Sequence, residues 1–188
     1  MTTVLAFLGS PRRDSTNKML LEAVQAVAPE GIDVVAYDGL DKLPFYNEDV
    51  DVDGHRPAGF DALRSAAAAA DAVLVVTPEY NGTMPATIKN MIDILSRPFG
   101  DSAVKGKPAA VIGSAFGQYG GVWAQEEARK ALGIAGAQVL EEPQLAVAGA
   151  APRFEATPPA EDPEIVAGIH AVLDALVAAA QELEPAAS

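Results

Sequence analysis

Apolar and polar positions fall in blocks along this chain, and the blocks change period in a regular order. Val4–Leu8 is a short apolar run that stops at Gly9-Ser10-Pro11, as a buried strand entering a loop does. Over Asn17–Ala28, Leu20, Leu21, Val24, Val27 and Ala28 recur at helical spacing, and Pro29 ends the run. Ile32–Tyr37 predicts a second strand. Gly39–Pro57 is long, acidic and irregular. Phe60–Ala70 predicts a helix with Phe60, Leu63 and Ala67 inward. Ala72–Val76 is apolar throughout and β-branched, which suits a central parallel strand. After the loop Pro78–Gly82, Thr83 stands as a cap and Pro85 in the first turn of a helix with Ile88, Met91, Ile92 and Leu95 inward. Pro108–Ser114 predicts a fourth strand and Gly117–Gly121 a glycine-rich loop. Val122–Leu132 reads as a helix closed by Gly133. Gln138–Leu140 begins a fifth strand, resumed at Leu145–Ala148. Asp162 caps the last helix, with Pro163 in first position and Ile165, Ile169, Val172, Leu173, Leu176 and Ala180 as its inner stripe. Residues 184–188 predict a frayed tail.

Strands that alternate with helices imply a parallel sheet covered on both faces, so the expectation is one doubly wound α/β domain over residues 1–183. Such sheets bind ligands beyond the carboxyl ends of their strands, at the topological switch point. The loops after the first, third and fourth strands meet that condition, and they are the three most unusual loops in the chain.

Composition narrows the partners. The 188 residues are 49% hydrophobic and 21% charged, enough apolar content for a core, and the net charge is -13. A surface this acidic repels nucleic acid and anionic lipid. There is no cysteine, which removes disulfides, thiolate metal sites and a cysteine nucleophile. The start, Met1-Thr2-Thr3-Val4-Leu5, has no basic region, and Ala175–Ala180 is too short to span a bilayer, so a cytoplasmic protein is expected.

The first loop, Gly9–Asn17, precedes a helix whose opening N–H groups and dipole favour an anion. Ser10, Ser15 and Thr16 add hydroxyls, Asn17 an amide and Arg12 a fork-shaped cation, which together make a phosphate site. Arg12, Arg13 and Lys18 are also the densest basic cluster of the chain. Gly-x-x-x-x-Gly-Lys-Ser/Thr and Gly-x-Gly-x-x-Gly are both missing, which disfavours a nucleoside triphosphate or a dinucleotide and points to a mononucleotide phosphate. The second loop, Thr77–Gly82, offers N–H groups on a backbone shaped by Pro78 and Gly82, with Tyr80 free to pack beside a planar heterocycle. Alone it reads equally well as a tight turn with an exposed tyrosine. The third loop, Ser114–Gly121, is rich in small residues that permit close approach of a flat ligand, and by itself is a weak signal.

Together, Gly-Ser-x-Arg-x-x-Ser-x-Asn (Gly9–Asn17), Pro-Glu-Tyr-Asn-Gly (Pro78–Gly82) and Lys89-Asn90-x-x-Asp93 resemble the NADPH-dependent FMN reductases, which include flavodoxin-like quinone, azo-dye and chromate reductases. Leu43–Asp49 and Gly120-Gly121 followed by Ala124-Gln125 look like two further loops of that family. The resemblance covers roughly residues 3–140 and loosens from about Glu141. It implies a flavodoxin-like sheet of five parallel strands in the order 2-1-3-4-5 with helices on both faces. It implies FMN with its phosphate at Ser10, Arg12, Ser15, Thr16 and Asn17. Pro78, Glu79, Tyr80, Asn81 and Gly82 would line the isoalloxazine, with Ser114 and Gly117 on its other side. It also implies NADPH or NADH as co-substrate, a small-molecule acceptor, and homodimers or homotetramers. Gly82-Thr83-Met84, Tyr119 and Trp123 depart from the pattern and bear on the acceptor side.

Other motifs lead nowhere. Asp49-Val50-Asp51-Val52-Asp53-Gly54 opens like a calcium loop, but its twelfth position is Phe60. His55 and His170, the two histidines, have no metal spacing. Ser114 lacks Gly-x-Ser-x-Gly and a histidine to activate it. The resemblance thus implies ping-pong hydride transfer from NAD(P)H through FMN to quinone, azo, flavin or similar acceptors, with no catalytic side chain and no metal. Glu79 is expected to serve as a loop and cofactor contact. The alternative is a flavodoxin-like electron carrier or redox sensor without turnover.

Overall fold

The structure is a computed structural model that describes residues 1–183; the expected tail at 184–188 lies outside the described residues. Its strands are β1 (Thr2–Leu8), β2 (Ile32–Ala36), β3 (Ala72–Thr77), β4 (Pro108–Ser114), β5 (Gln138–Val139) and β6 (Leu145–Val147). Its helices are α1 (Thr16–Val27), α2 (Ala58–Ala69), α3 (Ala86–Leu95), α4 (Val122–Ile134), α5 (Ala150–Ala156) and α6 (Pro163–Leu183). The strands form one parallel sheet in the order β2-β1-β3-β4-β5, with β6 also on β4, so the expected 2-1-3-4-5 order is present.

Alternation along the strands sorts the core into two layers. In β1, Val4 and Ala6 face one side, where Leu74, Val76 and Ile112 meet Leu20 and Val24 of α1 and Ile169, Val172 and Leu173 of α6. Leu5 and Phe7 face the other, where Val73, Val75 and Val111 meet Phe60 and Leu63 of α2, Ile88 and Met91 of α3, and Leu132 of α4. Each of these large side chains contributes about 1.5–3 kcal/mol on burial, so both faces are needed to hold β3 and β4 central. By length and composition α6 could cross a membrane, but its stripe from Ile165 to Ala180 is spent on the sheet.

Two helix ends depart from the expected pattern. Thr83 does not cap α3. It pairs with Tyr80 instead: Tyr80 N–H donates to Thr83 O at 3.0 Å and Thr83 N–H to Tyr80 O at 3.2 Å. Asn81 (φ 54°) and Gly82 (φ 75°) form the tip, a two-residue hairpin of the kind Asn-Gly specifies, and α3 opens behind Pro85. Gly133 does not close α4. The helix runs to Ile134, and Gly136 (φ 102°) takes the left-handed position while Ala137 N–H donates to Leu132 O at 3.0 Å. The fifth strand is interrupted as expected: β5 pairs with Pro108–Ala109 and β6 with Ile112–Ser114. Leu140–Gln144, with its cis Glu142–Pro143 bond, interrupts them.

The acidic loop is fixed by an ion-pair hub. Asp51 accepts from Arg64 Nη1 and Nη2 at 2.8 and 2.6 Å and from Arg56 Nε at 2.6 Å, and Arg64 Nε donates to Ile94 O of α3 at 3.0 Å. The two guanidinium groups hold the Asp51 carboxyl down at about 2, against 3.8 for a free one. Asn90, from the Lys89-Asn90-x-x-Asp93 motif, accepts from Tyr46 N–H at 2.7 Å and donates to Pro44 O at 3.0 Å. That motif therefore pins the loop after β2 to α3.

Candidate functional site

The loops after β1, β3 and β4 meet at the carboxyl edge of the sheet, and each is held by a different device. At the first, Ser15 caps α1: its hydroxyl accepts from Lys18 N–H at 3.4 Å, and Met19 N–H donates to Ser15 O at 3.1 Å. The N–H groups of Thr16 and Asn17 have no acceptor among the described residues. They open the helix that carries the positive dipole end. Ser10 and Ser15 are buried, whereas Arg12 is exposed and makes no bond to another described residue. Thr87 Oγ1 ties the loop to α3 through Gly9 O at 2.9 Å. Gly9 must lack a side chain, because a Cβ there would lie 2.8 Å from Ile88 Cγ1.

Asn17 is doubly engaged. Its Nδ2 donates to Ser114 O at 2.8 Å, and its Oδ1 accepts from Ser114 N–H at 2.8 Å. Ser114 Oγ adds a bond to Thr16 Oγ1 at 3.0 Å. The expected phosphate amide thus also clasps α1 to the end of β4. With Oδ1 and one Nδ2 hydrogen engaged, the second Nδ2 N–H and the backbone N–H of Asn17 are left to an anion.

In the second loop, Thr77 Oγ1 donates to Pro78 O at 2.8 Å, and Glu79 Oε2 accepts from Ala124 N–H at 3.3 Å. Glu79 so caps the start of α4 and joins the second loop to the third. The third loop is gripped from below by β6 and α5: Ala115 N–H donates to Val147 O at 3.0 Å, and Ala150 N–H to Ala115 O at 3.0 Å. Gly120 (φ 62°) lies so close to β6 that a Cβ would sit 2.6 Å from Ala146 C. Gln125 Nε2 donates to Gly120 O at 3.2 Å. Tyr119 and Trp123 pack at a tilt beside this loop, with ring centroids 5.2 Å apart and planes 53° apart.

These loops enclose a cavity of about 260 Å³. Nine of the expected residues line it: Ser10, Arg12, Ser15, Thr16, Asn17, Pro78, Glu79, Tyr80 and Ser114. Asn81, Gly82 and Gly117 do not. The first two form the exposed hairpin tip, and Gly117 O accepts from Gly149 N–H at 3.3 Å. The sequence reading missed Phe116, which is 81% exposed at the rim, and Ala151, which α5 brings in from a segment with no motif. A larger cleft of about 500 Å³ lies away from these loops, between the ends of α3 and α4, where Phe99 and Ile134 are exposed. It lacks helix-start N–H donors and so does not compete as a phosphate site.

The flavin cavity expected from the motifs fits this chemistry. Unpaired N–H groups at a helix start, two buried serines and an uncommitted guanidinium form the donor set for a phosphate. Beside them, Pro78, Tyr80, Ala115 and Phe116 give an apolar wall for a planar ring.

Comparison with known proteins agrees. The profile described as NADPH-dependent FMN reductase matches residues 2–152. A quinone reductase of Pseudomonas putida is 36% identical over 153 residues, 81% of each chain. A 2-hydroxy-1,4-benzoquinone reductase of a Burkholderia species is 38% identical over 144 residues, 76% of each. The solved structure of FerB, a flavoenzyme NAD(P)H:(acceptor) oxidoreductase from Paracoccus denitrificans, superposes with a TM-score of 0.86 at 32% identity, covering 97% of this chain and 98% of that one.

Proposed function

Because the chain belongs to the NADPH-dependent FMN reductase family, we propose that it takes hydride from NAD(P)H and delivers it to quinones, azo compounds, flavins or similar acceptors by a ping-pong sequence. It is an oxidoreductase with FMN as cofactor and NAD(P)H as co-substrate. When bound, FMN supplies the acceptance and release of hydride; the chain supplies binding and orientation.

Ser10, Arg12, Ser15 and the N–H groups of Thr16 and Asn17 hold the phosphate in this reading. Pro78, Glu79, Tyr80 and Ser114 shape the ring wall, and Asn81, Gly82 and Gly117 belong to the loops that frame it. Donor and acceptor take turns at the opening rimmed by Tyr80 and Phe116, so neither needs its own pocket. No side chain need act as nucleophile or proton donor, and Glu79 is already committed to capping α4. The acceptor class follows the quinone reductases among the relatives. The enzyme works as a homodimer or homotetramer in the cytoplasm and folds as one domain.

The observation that carries this reading is the meeting of the phosphate donor set and the apolar wall in one cavity at the carboxyl edge of the sheet. Anaerobic mixing of the flavin-loaded protein with NADPH or NADH tests it. Flavin absorbance should bleach with at least one nucleotide and return when a quinone is added. Absorbance that stays oxidised with both would overturn it.

A further inference from the structure

A second cavity of about 260 Å³ lies on the other side of the first loop, between that loop and the end of β2. It shares Ser10 and Arg12 with the flavin cavity, so the two are neighbours across one wall. Four cations line it: Arg12 and Arg13 from the loop, Lys18 from α1, and Lys42 from the 3₁₀ turn after β2. In a chain with 26 acidic and 13 basic residues, four cations drawn from three elements are a marked concentration. Asp38 and Asp41 also line the cavity and oppose an anion, which leaves its wall net positive.

These cations are weakly committed. Lys42 lies 3.8 Å from Asp38 and Lys18 3.8 Å from Glu22, exposed i,i+4 pairs that exchange readily with a ligand. Arg13, like Arg12, has no hydrogen bond or ion pair to another described residue, and nothing in the flavin reading uses it. Gathered like charges repel one another, and an anion of two charges would relieve that repulsion.

We propose that this cavity receives the 2′-phosphate of NADPH, with Arg13 and Lys42 setting a preference for NADPH over NADH. The inference rests on the donor reading given above. A phosphomonoester is close to doubly charged at neutral pH, its second pKa being about 6. A guanidinium fork and a mobile ammonium suit its three oxygens. The shared wall lets one extended nucleotide engage both cavities.

The test uses the flavin-loaded protein and the Arg13→Ala/Lys42→Ala double variant. The KM for NADPH should rise about tenfold or more in the variant, the scale of losing charge-assisted contacts. The KM for NADH and the bound flavin content should stay as in the wild type. Added salt should weaken NADPH use in the wild type and lose that effect in the variant. Calorimetry without turnover gives a separate reading: the oxidised wild type should bind 2′,5′-ADP about tenfold more tightly than 5′-ADP, and the variant should bind both alike. An unchanged NADPH-to-NADH ratio of kcat/KM in the variant, or equal binding of the two ADP isomers by the wild type, overturns the proposal. Wild-type flavin that neither nucleotide reduces would instead bring down the donor reading, a result the calorimetry does not depend on.

Discussion

At the scale of single residues, the first loop holds two kinds of polar group that look alike in sequence. Arg12 is free to bind, whereas Asn17 is also tied to Ser114 by two hydrogen bonds. Their substitutions should therefore fail differently. Arg12→Ala should weaken FMN binding by about tenfold or more, read by fluorescence titration, with the denaturation midpoint of the flavin-free protein unchanged. Asn17→Ala should lower stability of that same flavin-free protein by about 1–3 kcal/mol, because the Ser114 N–H and C=O lose buried partners. Asp51 makes a related case. Its carboxyl titrates at about 2 when folded against 3.8 when free, so the unfolded chain binds more protons between those values. Its contribution is complete above about pH 4 and fades as pH falls toward 2. The Asp162 carboxyl is also held low, by Arg153, and acts in the same sense. Acid unfolding followed by circular dichroism should be shallower in Asp51→Asn than in the wild type over that range.

At the scale of elements, what was legible follows from local chemistry. The apolar runs of β1, β3 and β4 announced themselves, because burial on both faces leaves few polar positions, and α6 did so by its one apolar stripe at helical spacing. The Asn81-Gly82 hairpin was also written locally, in the strongest short hairpin signal there is, but Thr83 before Pro85 offered a competing cap. The edge strand was legible as two stretches, Gln138–Leu140 and Leu145–Ala148, but not in its exact limits, because β5 and β6 hold only two and three residues and their register comes from β4. For the same reason no motif revealed α5 as a wall of the site: Ala151 contributes by place, not by chemistry. The grip of β6 on the third loop gives a test at this scale. Gly120→Ala must both strain a left-handed backbone and push against Ala146. Flavin affinity should fall by about tenfold or more while the far-ultraviolet circular dichroism keeps its helical shape, since α1, α2 and α6 do not depend on that contact. A variant that binds FMN normally would show the third loop to be dispensable.

At the scale of the whole molecule, the acidic surface and its apolar exceptions bear on the proposed homodimer or homotetramer. A net charge of -13 opposes association unless a local apolar face outweighs it. Phe99, 91% exposed, and Ile134, 80% exposed, rim the cleft between α3 and α4 and offer such a face to the proposed oligomer. Phe99→Glu combined with Ile134→Glu should move the sedimenting species toward the 19.4 kDa protomer, and rising salt should favour the oligomer in the wild type. Trp123 adds a last consequence. It is the only tryptophan of the chain, and it rests against Tyr119 beside the loop that closes the ring wall. Indole emission from this protein is therefore a one-address signal. An oxidised isoalloxazine absorbs in the band where indole emits, so ultraviolet excitation of the unlabelled chain becomes an optical gauge of cofactor occupancy. Dimming would track loading, and partial recovery would track bleaching of the flavin by its donor.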